Sequence, residues 1–229
     1  NYIATNMFVA AIIPAAGSGR RFGERKQFKA LKGKPLLNYS IEEFLKVPEV
    51  KEIITVVPGN QIKEVRKSLI PLFNDEKTLK VVEGGLSRQD SVGNALNSIG
   101  KDIDIVCVHD AARPFVTAHL ILKTIDQCQF SDGGIAAIQS VDTVKLISNG
   151  SVKSTLNREN IWLAQTPQSF QKDKFISAFK KALAKGLSVT DESMLMEEAG
   201  FSVIPVSGSS LNFKVTAPQD WEKARRLVK

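Results

Sequence analysis

The sequence VAAIIPAAGSGRRFGERK, residues 9–26, decides the fold. It opens with an apolar run, Val9–Pro14, of the kind that forms a buried parallel strand. Small residues and glycines follow, and they allow the backbone to approach a ligand and to direct its N–H groups at phosphate oxygens. Four cations come next: Arg20, Arg21, Arg25 and Lys26. The stretch therefore predicts a phosphate-binding loop at the carboxyl end of a first parallel strand.

Beyond this loop, apolar strand-like runs alternate with amphipathic helical patterns. The predicted strands are Val9–Pro14, Ile53–Val57, Leu79–Glu83, Ile103–Val108 and Gly134–Gln139, and the predicted helices are Pro35–Leu45, Gln61–Ile70, Ser87–Ile99 and Thr117–Cys128. This alternation predicts an α/β fold with a three-layer, Rossmann-like, mostly parallel sheet and helices on both of its faces. Because ligands of such sheets bind beyond the carboxyl ends of the strands, the glycine-rich loop and residues 84–91 and 109–114 should converge on one cleft.

Residues 140–160 interrupt the alternation. Two β-prone runs, Thr143–Ile147 and Val152–Leu156, flank an Asn-Gly pair at residues 149–150, which is a strong signal for a β-hairpin. The hairpin has too few apolar residues to form a core of its own. It is therefore expected either to pack on its own domain or to project as an arm that pairs with a second subunit.

The C-terminal part predicts a short strand over residues 212–216 and three helices, over Lys172–Lys185, residues 190–199 and residues 217–228. Thr216 and Gln219 are expected to cap the last helix. Since no linker or repeat is evident, a single domain is expected over residues 1–229. Residues 1–6, which precede Met7, are interpreted as upstream sequence without a role in the fold.

The amino-acid composition indicates which kinds of ligand and which compartment suit the protein. The 229-residue chain carries a net charge of +7, which suits polyanionic ligands. Aromatic residues make up 7% and are not interleaved with the cations, so a small phosphorylated substrate is favoured over nucleic acid. The longest apolar run is too short to span a bilayer, so no membrane partner is expected. Cys107 and Cys128 belong to no CxxC motif or Cys/His cluster, which favours a reducing, cytoplasmic compartment.

The glycine-rich loop differs from two common phosphate-binding motifs. It lacks the GxxxxGK[ST] pattern of a P-loop. Its glycines at positions 17, 19 and 23 are spaced one residue too widely for the GxGxxG of dinucleotide-binding folds, and the strand Ile53–Val57 ends without an acidic residue to hold a ribose. An NAD-dependent oxidoreductase is therefore disfavoured, and a plain surface turn is the alternative to a nucleotide loop.

Asp110 is the candidate metal ligand. It follows an apolar strand and would face the basic loop, and Mg²⁺ prefers one or two carboxylates together with phosphate oxygens. A turn cap or an ion pair with Arg113 is the alternative. His109 would point to the other side of the strand and is interpreted as structural.

The two histidines stand at unrelated positions and cannot complete a Ser-His-Asp or Cys-His set. Their placement favours a reaction whose nucleophile is already anionic, such as attack of a phosphate monoester on the α-phosphorus of a nucleoside triphosphate. The enzyme then has to orient both substrates and stabilise developing charge with cations. Arg158 and Lys214 are further candidate cations, with a solvated surface charge as the alternative for each.

With these pieces in place, the chain closely resembles the 2-C-methyl-D-erythritol 4-phosphate cytidylyltransferases of the non-mevalonate isoprenoid pathway. The matching stretches are PAAGSGRR (14–21), KQF (26–28), EGG (83–85), RQDSV (88–92), VHDAARP (108–114), DTVK (142–145), NR (157–158), TPQ (166–168), TDE (190–192) and FKVT (213–216). The resemblance implies that CTP and 2-C-methyl-D-erythritol 4-phosphate (MEP) react to give 4-diphosphocytidyl-2-C-methyl-D-erythritol and pyrophosphate.

The resemblance also implies residue roles, carried over by position. Arg21 and Lys26 would stabilise the transition state, and Asp110 would bind Mg²⁺. CTP would be held by Ala15, Ala16, Gly17, Gly85, Ser91, Ala111 and Thr166. MEP would be positioned by Arg113, Thr143, Arg158, Thr190 and Lys214. The arm of this family crosses a homodimer, so the resemblance favours residues 140–160 as an arm that lends MEP contacts to the partner subunit.

Two departures from the family pattern matter. Leu86 stands where the family often has an acidic residue, so recognition of cytosine should fall on backbone groups and Ser91. The loop between Arg21 and Lys26 is one residue shorter than in some relatives. The alternatives are a ribitol 5-phosphate cytidylyltransferase, whose first-loop and metal-turn patterns fit less well, and a nucleotide-binding domain without turnover.

Overall fold

A computed structural model describes residues 7–228. The strands are β1 Val9–Pro14, β2 Ala30–Leu31, β3 Lys34–Pro35, β4 Val50–Val57, β5 Thr78–Glu83, β6 Ile105–Val108, β7 Gly133–Gln139, β8 Lys145–Ser148, β9 Ser151–Thr155, β10 Trp162–Gln171 and β11 Val203–Ser207. The helices are α1 Leu36–Leu45, α2 Ile62–Leu69, α3 Arg88–Leu96, α4 Ala118–Gln127, α5 Lys172–Ala184, α6 Glu192–Glu198 and α7 Pro218–Leu227. Residues 1–6, interpreted above as upstream sequence, lie outside the described residues.

The central sheet has seven strands in the order β11-β7-β10-β6-β1-β4-β5. Strand β10 runs antiparallel to both β6 and β7, and the other neighbouring pairs are parallel. The predicted α/β fold with a mostly parallel sheet is confirmed. Strands β2, β3, β10 and β11 were not predicted. For β10 the reason is that the polar sequence of Trp162–Gln171 lacks the apolar run that marks the other central strands.

Alternation along the central strands produces the three layers. Val9, Ala11 and Ile13 point to one face of β1, and Ala10 and Ile12 point to the other. Helices α1, α2 and α4 cover the first face, and α3, α5 and α6 cover the second. Both layers are closed by fully buried side chains, so the loops at the strand ends are carried on a rigid base.

The predicted β-hairpin is present as β8 and β9. The two strands pair with each other in a separate two-stranded sheet, and all of their residues are exposed. The turn residues Asn149 and Gly150 have φ values of 50° and 77°, the left-handed conformation that an Asn-Gly hairpin turn requires. The hairpin begins at Lys145 rather than at the predicted Thr143 and leaves Leu146, Ile147 and Val152 exposed.

Two C-terminal predictions were wrong. Residues 212–216 form no strand: residue 212 lies in a bend, and residues 213–216 have no regular secondary structure. Within this segment the Val215 N–H donates to the carbonyl of Ala112 at 2.8 Å. The last helix is capped by Asp220, whose carboxylate accepts from the N–H groups of Thr216 and Ala217 at 2.8 Å each. The N-cap position is Ala217 and the capping carboxylate is Asp220, so Thr216 and Gln219 each lie one position too early to act as the predicted cap. The remaining predicted elements differ from the structure by a few residues at their ends.

None of the helices in the part of the chain described here is long and apolar enough to cross a membrane.

Candidate active site

The three predicted loops converge on one cleft of about 630 Å³ at the carboxyl ends of the central strands. The loop after β1, the turn that leads into α3, the turn after β6 and the side chain of Lys214 line it. Among residues 7–228, the cations that line it are Arg20, Arg21, Lys26, Arg88 and Lys214, and the acidic side chain that lines it is Asp110. Such a charge distribution suits a polyphosphate.

The glycine-rich loop makes a tight reversal at Gly19. This residue has φ +71°, and its carbonyl accepts from the N–H groups of Phe22 and Gly23 at 2.8 and 3.0 Å. A Cβ at Gly19 would lie 1.8 Å from the carbonyl oxygen of Glu24, so no other residue fits without moving the loop. The reversal returns the chain to the cleft, where it delivers Lys26.

Gln27 ties this reversal to the strand end. Its side-chain amide is buried and donates to the carbonyl oxygens of Ala15 and Gly17 at 2.7 and 2.8 Å. The segment that carries Lys26 is thereby anchored to the loop that begins at Ala15. Sequence reasoning placed Gln27 in a matching stretch but assigned it no role.

Lys26 is surrounded by other cations. Partial burial, followed by the charges of Lys214 and Arg21, lowers the pKa of Lys26 below its ordinary value. Its ammonium lies 5.7 Å from the centre of the Phe22 ring. The positive charges of Lys214 and Arg21 act unfavourably on the Lys26 ammonium, so an anion bound among these cations is favoured. Arg20 also lines the cleft, whereas Arg25 does not.

The second loop presents the N-terminus of α3 to the cleft. Ser87 and Asp90 form a reciprocal cap, with bonds of 3.0 and 2.9 Å. The Ser91 hydroxyl is buried and accepts from the Gly85 N–H at 3.1 Å, so it supports the loop from below. A Cβ on Gly84 would lie 2.3 Å from the Cβ of Ala16, and this close packing joins the first two loops. Leu86, the departure noted above, is fully exposed at the cleft.

Asp110 lies at the centre of the cation cluster. Its carboxylate pairs with Lys214 at 2.7 Å, with Arg88 at 3.2 Å and with Arg113 at 3.8 Å. Burial by itself would raise the pKa of Asp110, but Arg88 and Lys214 outweigh it and hold the pKa well below the usual range. The group is therefore an anion at neutral pH, as a metal ligand must be.

His109 has the structural role predicted for it. It is fully buried, and burial lowers its pKa to about 4. Its Nε2 lies 3.1 Å from the carbonyl of Arg113, and its Nδ1 lies 3.1 Å from the Thr166 hydroxyl. The neutral tautomer with a proton on Nε2 satisfies both bonds. The Thr166 hydroxyl also accepts from the Asp110 N–H at 3.0 Å. His109 and Thr166 together therefore support the turn that carries Asp110.

A family model described as 2-C-methyl-D-erythritol 4-phosphate cytidylyltransferase matches residues 9–229. The chain belongs to this family. The enzyme of that name from Solibacter usitatus is 38% identical, over 97% of this chain and 96% of its own length. The one from Syntrophus aciditrophicus is 39% identical, over 96% of each chain. Family membership makes the chain a nucleotidyltransferase, as expected from the resemblance.

Solved structures agree with the sequence comparison. The crystal structure of 4-diphosphocytidyl-2C-methyl-D-erythritol synthase from Anaerococcus prevotii has a TM-score of 0.86 at 31% identity, with 97% of this chain and 98% of that chain covered. The 2-C-methyl-D-erythritol 4-phosphate cytidylyltransferase of Francisella tularensis has a TM-score of 0.79 at 34% identity, with 96% and 99% covered.

In this cytidylyltransferase, the cleft brings together most of the residues carried over from the resemblance. Those that line it are Ala15, Ala16, Gly17, Arg21, Lys26, Gly85, Ser91, Asp110, Ala111 and Lys214. Arg113 lies just behind Asp110 and donates from Nη1 to the carbonyl of Asn212 at 2.8 Å. Thr166 is buried behind the same turn and does not line the cleft.

The remaining three residues lie outside the cleft of a single chain. Thr143 is exposed before β8, and Thr190 is exposed before α6. Arg158 is exposed after β9 and donates to the carbonyl of Val141 at 3.0 Å, across the base of the hairpin. Within the described chain, therefore, Thr143 and Arg158 do not contribute to the cleft.

The structure also reveals polar residues that sequence reasoning missed. Arg88 bridges Asp110 and Glu192, the second of which is buried behind the cleft. Burial raises the pKa of Glu192 in spite of the opposing charge of Arg88. Asn212, fully buried, donates to the carbonyl of Thr166 at 2.8 Å. No local pattern marks these residues, because their partners lie far away in the sequence.

Proposed function

We propose that this chain transfers the cytidylyl group of CTP to MEP and releases pyrophosphate. An oxygen of the MEP phosphate attacks the α-phosphorus of CTP and forms the new P–O bond. The bond from that phosphorus to the oxygen bridging to the β-phosphate breaks, and pyrophosphate leaves with the electron pair. The observation that carries the proposal is the cleft in which Lys26, Arg21 and Lys214 surround a polyphosphate-sized space on a tight glycine loop.

One set of residues would bind CTP and another would stabilise the transition state. Backbone groups of Ala15–Gly17, Gly85 and Ala111 would hold CTP, with Ser91 and Thr166 supporting the loops behind them. Arg21 and Lys26 would stabilise the charge that grows on the α-phosphate oxygens in the transition state. The nucleophile is already an anion, so proton abstraction by a general base is not required.

Mg²⁺ fits this site as a partner of the bound nucleotide. Among residues 7–228, no group of three or more His, Cys, Asp and Glu side chains could hold a metal alone. Asp110 is an anion at the cleft and would supply one ligand, which leaves phosphate oxygens and water for the others. When bound, Mg²⁺ would neutralise phosphate charge. Asp110 now faces Lys214, so we expect the ammonium to leave Asp110 for a substrate phosphate.

The MEP phosphate would bind beside Lys214 and Arg113, with further contacts from the hairpin of a second subunit. Thr143 and Arg158 do not line the cleft of their own chain, and the hairpin exposes Leu146, Ile147 and Val152. We therefore propose a homodimer in which residues 140–160 of each chain pack on the other and complete its site.

A pyrophosphate-release assay tests the reaction. CTP, UTP and ATP are each combined with MEP and with ribitol 5-phosphate, with and without Mg²⁺. We expect turnover with CTP and MEP in the presence of Mg²⁺ only. Preference for ribitol 5-phosphate would assign the rival substrate, and no release with any pair would support a binding domain. Arg21→Ala is expected to lower kcat about 10²–10³-fold with little change in thermal stability.

Subunit mixing tests the arm. Lys26→Ala and Arg158→Ala are each expected to be nearly inactive with MEP. If the arm acts across the dimer, a heterodimer of the two variants contains one site with both Lys26 and Arg158 intact. Remixing equal amounts should then restore about a quarter of wild-type activity, since half of the dimers are mixed and one site in each works. No recovery in a mixture shown to exchange subunits would place Arg158 in its own subunit's site.

A further inference from the structure

Arg88 joins two carboxylates that lie far apart in the sequence. Its Nη1 and Nη2 donate to Oε1 and Oε2 of Glu192 in a bidentate pair, with 2.8 Å between Nη2 and Oε2. Its Nε and Nη2 donate to Oδ1 of Asp110 at 3.3 and 3.2 Å. Arg88 lines the cleft, whereas Glu192 is only 2% exposed and does not. The hydrogen bonds of Glu192 therefore reach the cleft through Arg88.

The two oxygens of Asp110 are held in different ways. Oδ1 is held by Arg88, whose planar guanidinium is fixed in orientation by the two bonds to Glu192. Oδ2 is bonded to Lys214, an ammonium on a flexible four-carbon chain that is 39% exposed. Arg113 approaches Oδ2 only to 3.8 Å and is tied to the carbonyl of Asn212. Oδ2 is therefore the oxygen whose partner can leave.

We propose that Arg88, anchored by Glu192, is a positioning residue that holds Oδ1 of Asp110 and so directs Oδ2 toward a divalent cation bound with CTP. The inference rests on the proposed role of Asp110 as a metal ligand. A carboxylate held at one oxygen cannot rotate freely, so its other oxygen is offered in one direction. Groups that orient a ligand in this way commonly change metal affinity or activity 10–100-fold when they are removed.

Glu192→Gln tests the proposal in the full-length protein. The amide keeps the size of the side chain and one acceptor but removes the charge that anchors Arg88. CTP affinity is measured by calorimetry in EDTA and in excess Mg²⁺, and the readout is the ratio of the two Kd values. We expect this Mg²⁺ effect to fall at least about 10-fold, while the Kd in EDTA changes less than about 2-fold.

The matched control is Glu222→Gln. It removes one carboxylate from an Arg–Glu pair on the surface of α7, in which both side chains are 59% exposed. We expect it to leave the Mg²⁺ effect unchanged. If Glu192→Gln weakens CTP binding equally in EDTA and in Mg²⁺, Arg88 acts on the nucleotide itself and the proposal fails.

A second variant covers the case in which Glu192→Gln does not fold. Arg88→Met combined with Glu192→Leu replaces the buried pair by apolar side chains and leaves neither charge of the pair behind. We expect it to show the same loss of the Mg²⁺ effect, and an unchanged ratio in either folded variant would overturn the proposal. Pyrophosphate release by the wild-type protein tests the proposed function separately, so the two failures can be told apart.

Discussion

Replacing Gln27 by Glu is expected to damage the glycine-rich loop without changing the shape of the side chain. The wild-type amide donates to the carbonyls of Ala15 and Gly17 at 2.7 and 2.8 Å. A carboxylate at this place offers no donor and puts negative charge against both carbonyl oxygens. Gln27 is 6% exposed, so water cannot readily replace the lost bonds.

The loss of stability expected for Gln27→Glu can be estimated from the surroundings of the two carbonyl groups. Ala15 is 3% exposed, so its carbonyl is left without a partner, which costs about 1–3 kcal/mol in the free energy of unfolding. Gly17 is exposed, and water can satisfy its carbonyl. For a chain of this length the loss corresponds to a fall in Tm of roughly 2–10 °C.

The effect on catalysis should exceed the effect on stability. Gln27 anchors the segment that carries Lys26, and a displacement of about 1 Å at a reacting centre can cost about 10²-fold in rate. We therefore expect kcat/KM for CTP, measured by pyrophosphate release, to fall about 100-fold. Gln27→Met should show a similar loss of rate, because it also lacks the donor but adds no charge.

The control for the charge change is Gln129→Glu at an exposed position. It should leave both Tm and kcat/KM close to the wild-type values. Wild-type kcat/KM in both Gln27 variants would refute the role of the amide as the anchor of the loop. A fall in Tm with unchanged kcat/KM would show that the amide stabilises the fold but does not position Lys26.

Three further predictions follow from the same site. Lys26→Ala should lower kcat about 10²–10³-fold with Tm nearly unchanged, and a normal kcat would exclude its role in the transition state. Gly19→Ala should abolish detectable CTP binding in calorimetry, because its Cβ would meet the Glu24 carbonyl. Gly23→Ala is the control: Gly23 has φ +90° but open space around it, so this variant should retain CTP binding. Equal loss of binding in both variants would show that the backbone conformation alone, not the contact with Glu24, is responsible. In the folded protein the pKa of His109 is about 4, against an ordinary value of 6.5. As the pH falls, the unfolded state therefore takes up the proton before the folded state does. Roughly 3 kcal/mol of the free energy of unfolding that is present above pH 6.5 should be lost as the pH falls toward 4. Urea unfolding across this range should show a smaller loss for His109→Gln, and identical pH profiles would contradict the assignment.

Much of the fold could be predicted because its signals are local. The apolar run of Val9–Pro14 and the Asn-Gly turn of the hairpin each specify their element from adjacent residues. Strand β10 could not be predicted in the same way. Its polar residues are buried by insertion between β6 and β7 and are satisfied by distant partners, such as the bond from Gln168 to Asp191 at 2.8 Å.

The residues of the candidate site likewise differ in whether a local sequence signal marks them. The loop residues and Asp110 could be found because each stands at the end of a strand, where the topology of a parallel sheet collects binding groups. Arg88 and Glu192 could not be assigned roles, because each acts through a bond to a residue remote in the sequence. Gln27 could not be assigned one, because its bonds to Ala15 and Gly17 depend on the three-dimensional path of the loop between them. The position of Arg158 outside the cleft of its own chain is likewise invisible in a linear pattern.

The sequence by itself therefore determined the alternation of strands and helices from Val9 to Gln139, the glycine-rich loop after the first strand and the cations that follow it. These depend on steric and electrostatic preferences of neighbouring residues. Only the tertiary structure decided which charges meet: Arg88 reaches Glu192 across 104 positions, and Asp110 faces Lys214 at 2.7 Å. Such pairs form because packing the helices on the sheet brings distant segments together and removes water, which strengthens the interaction between the charges.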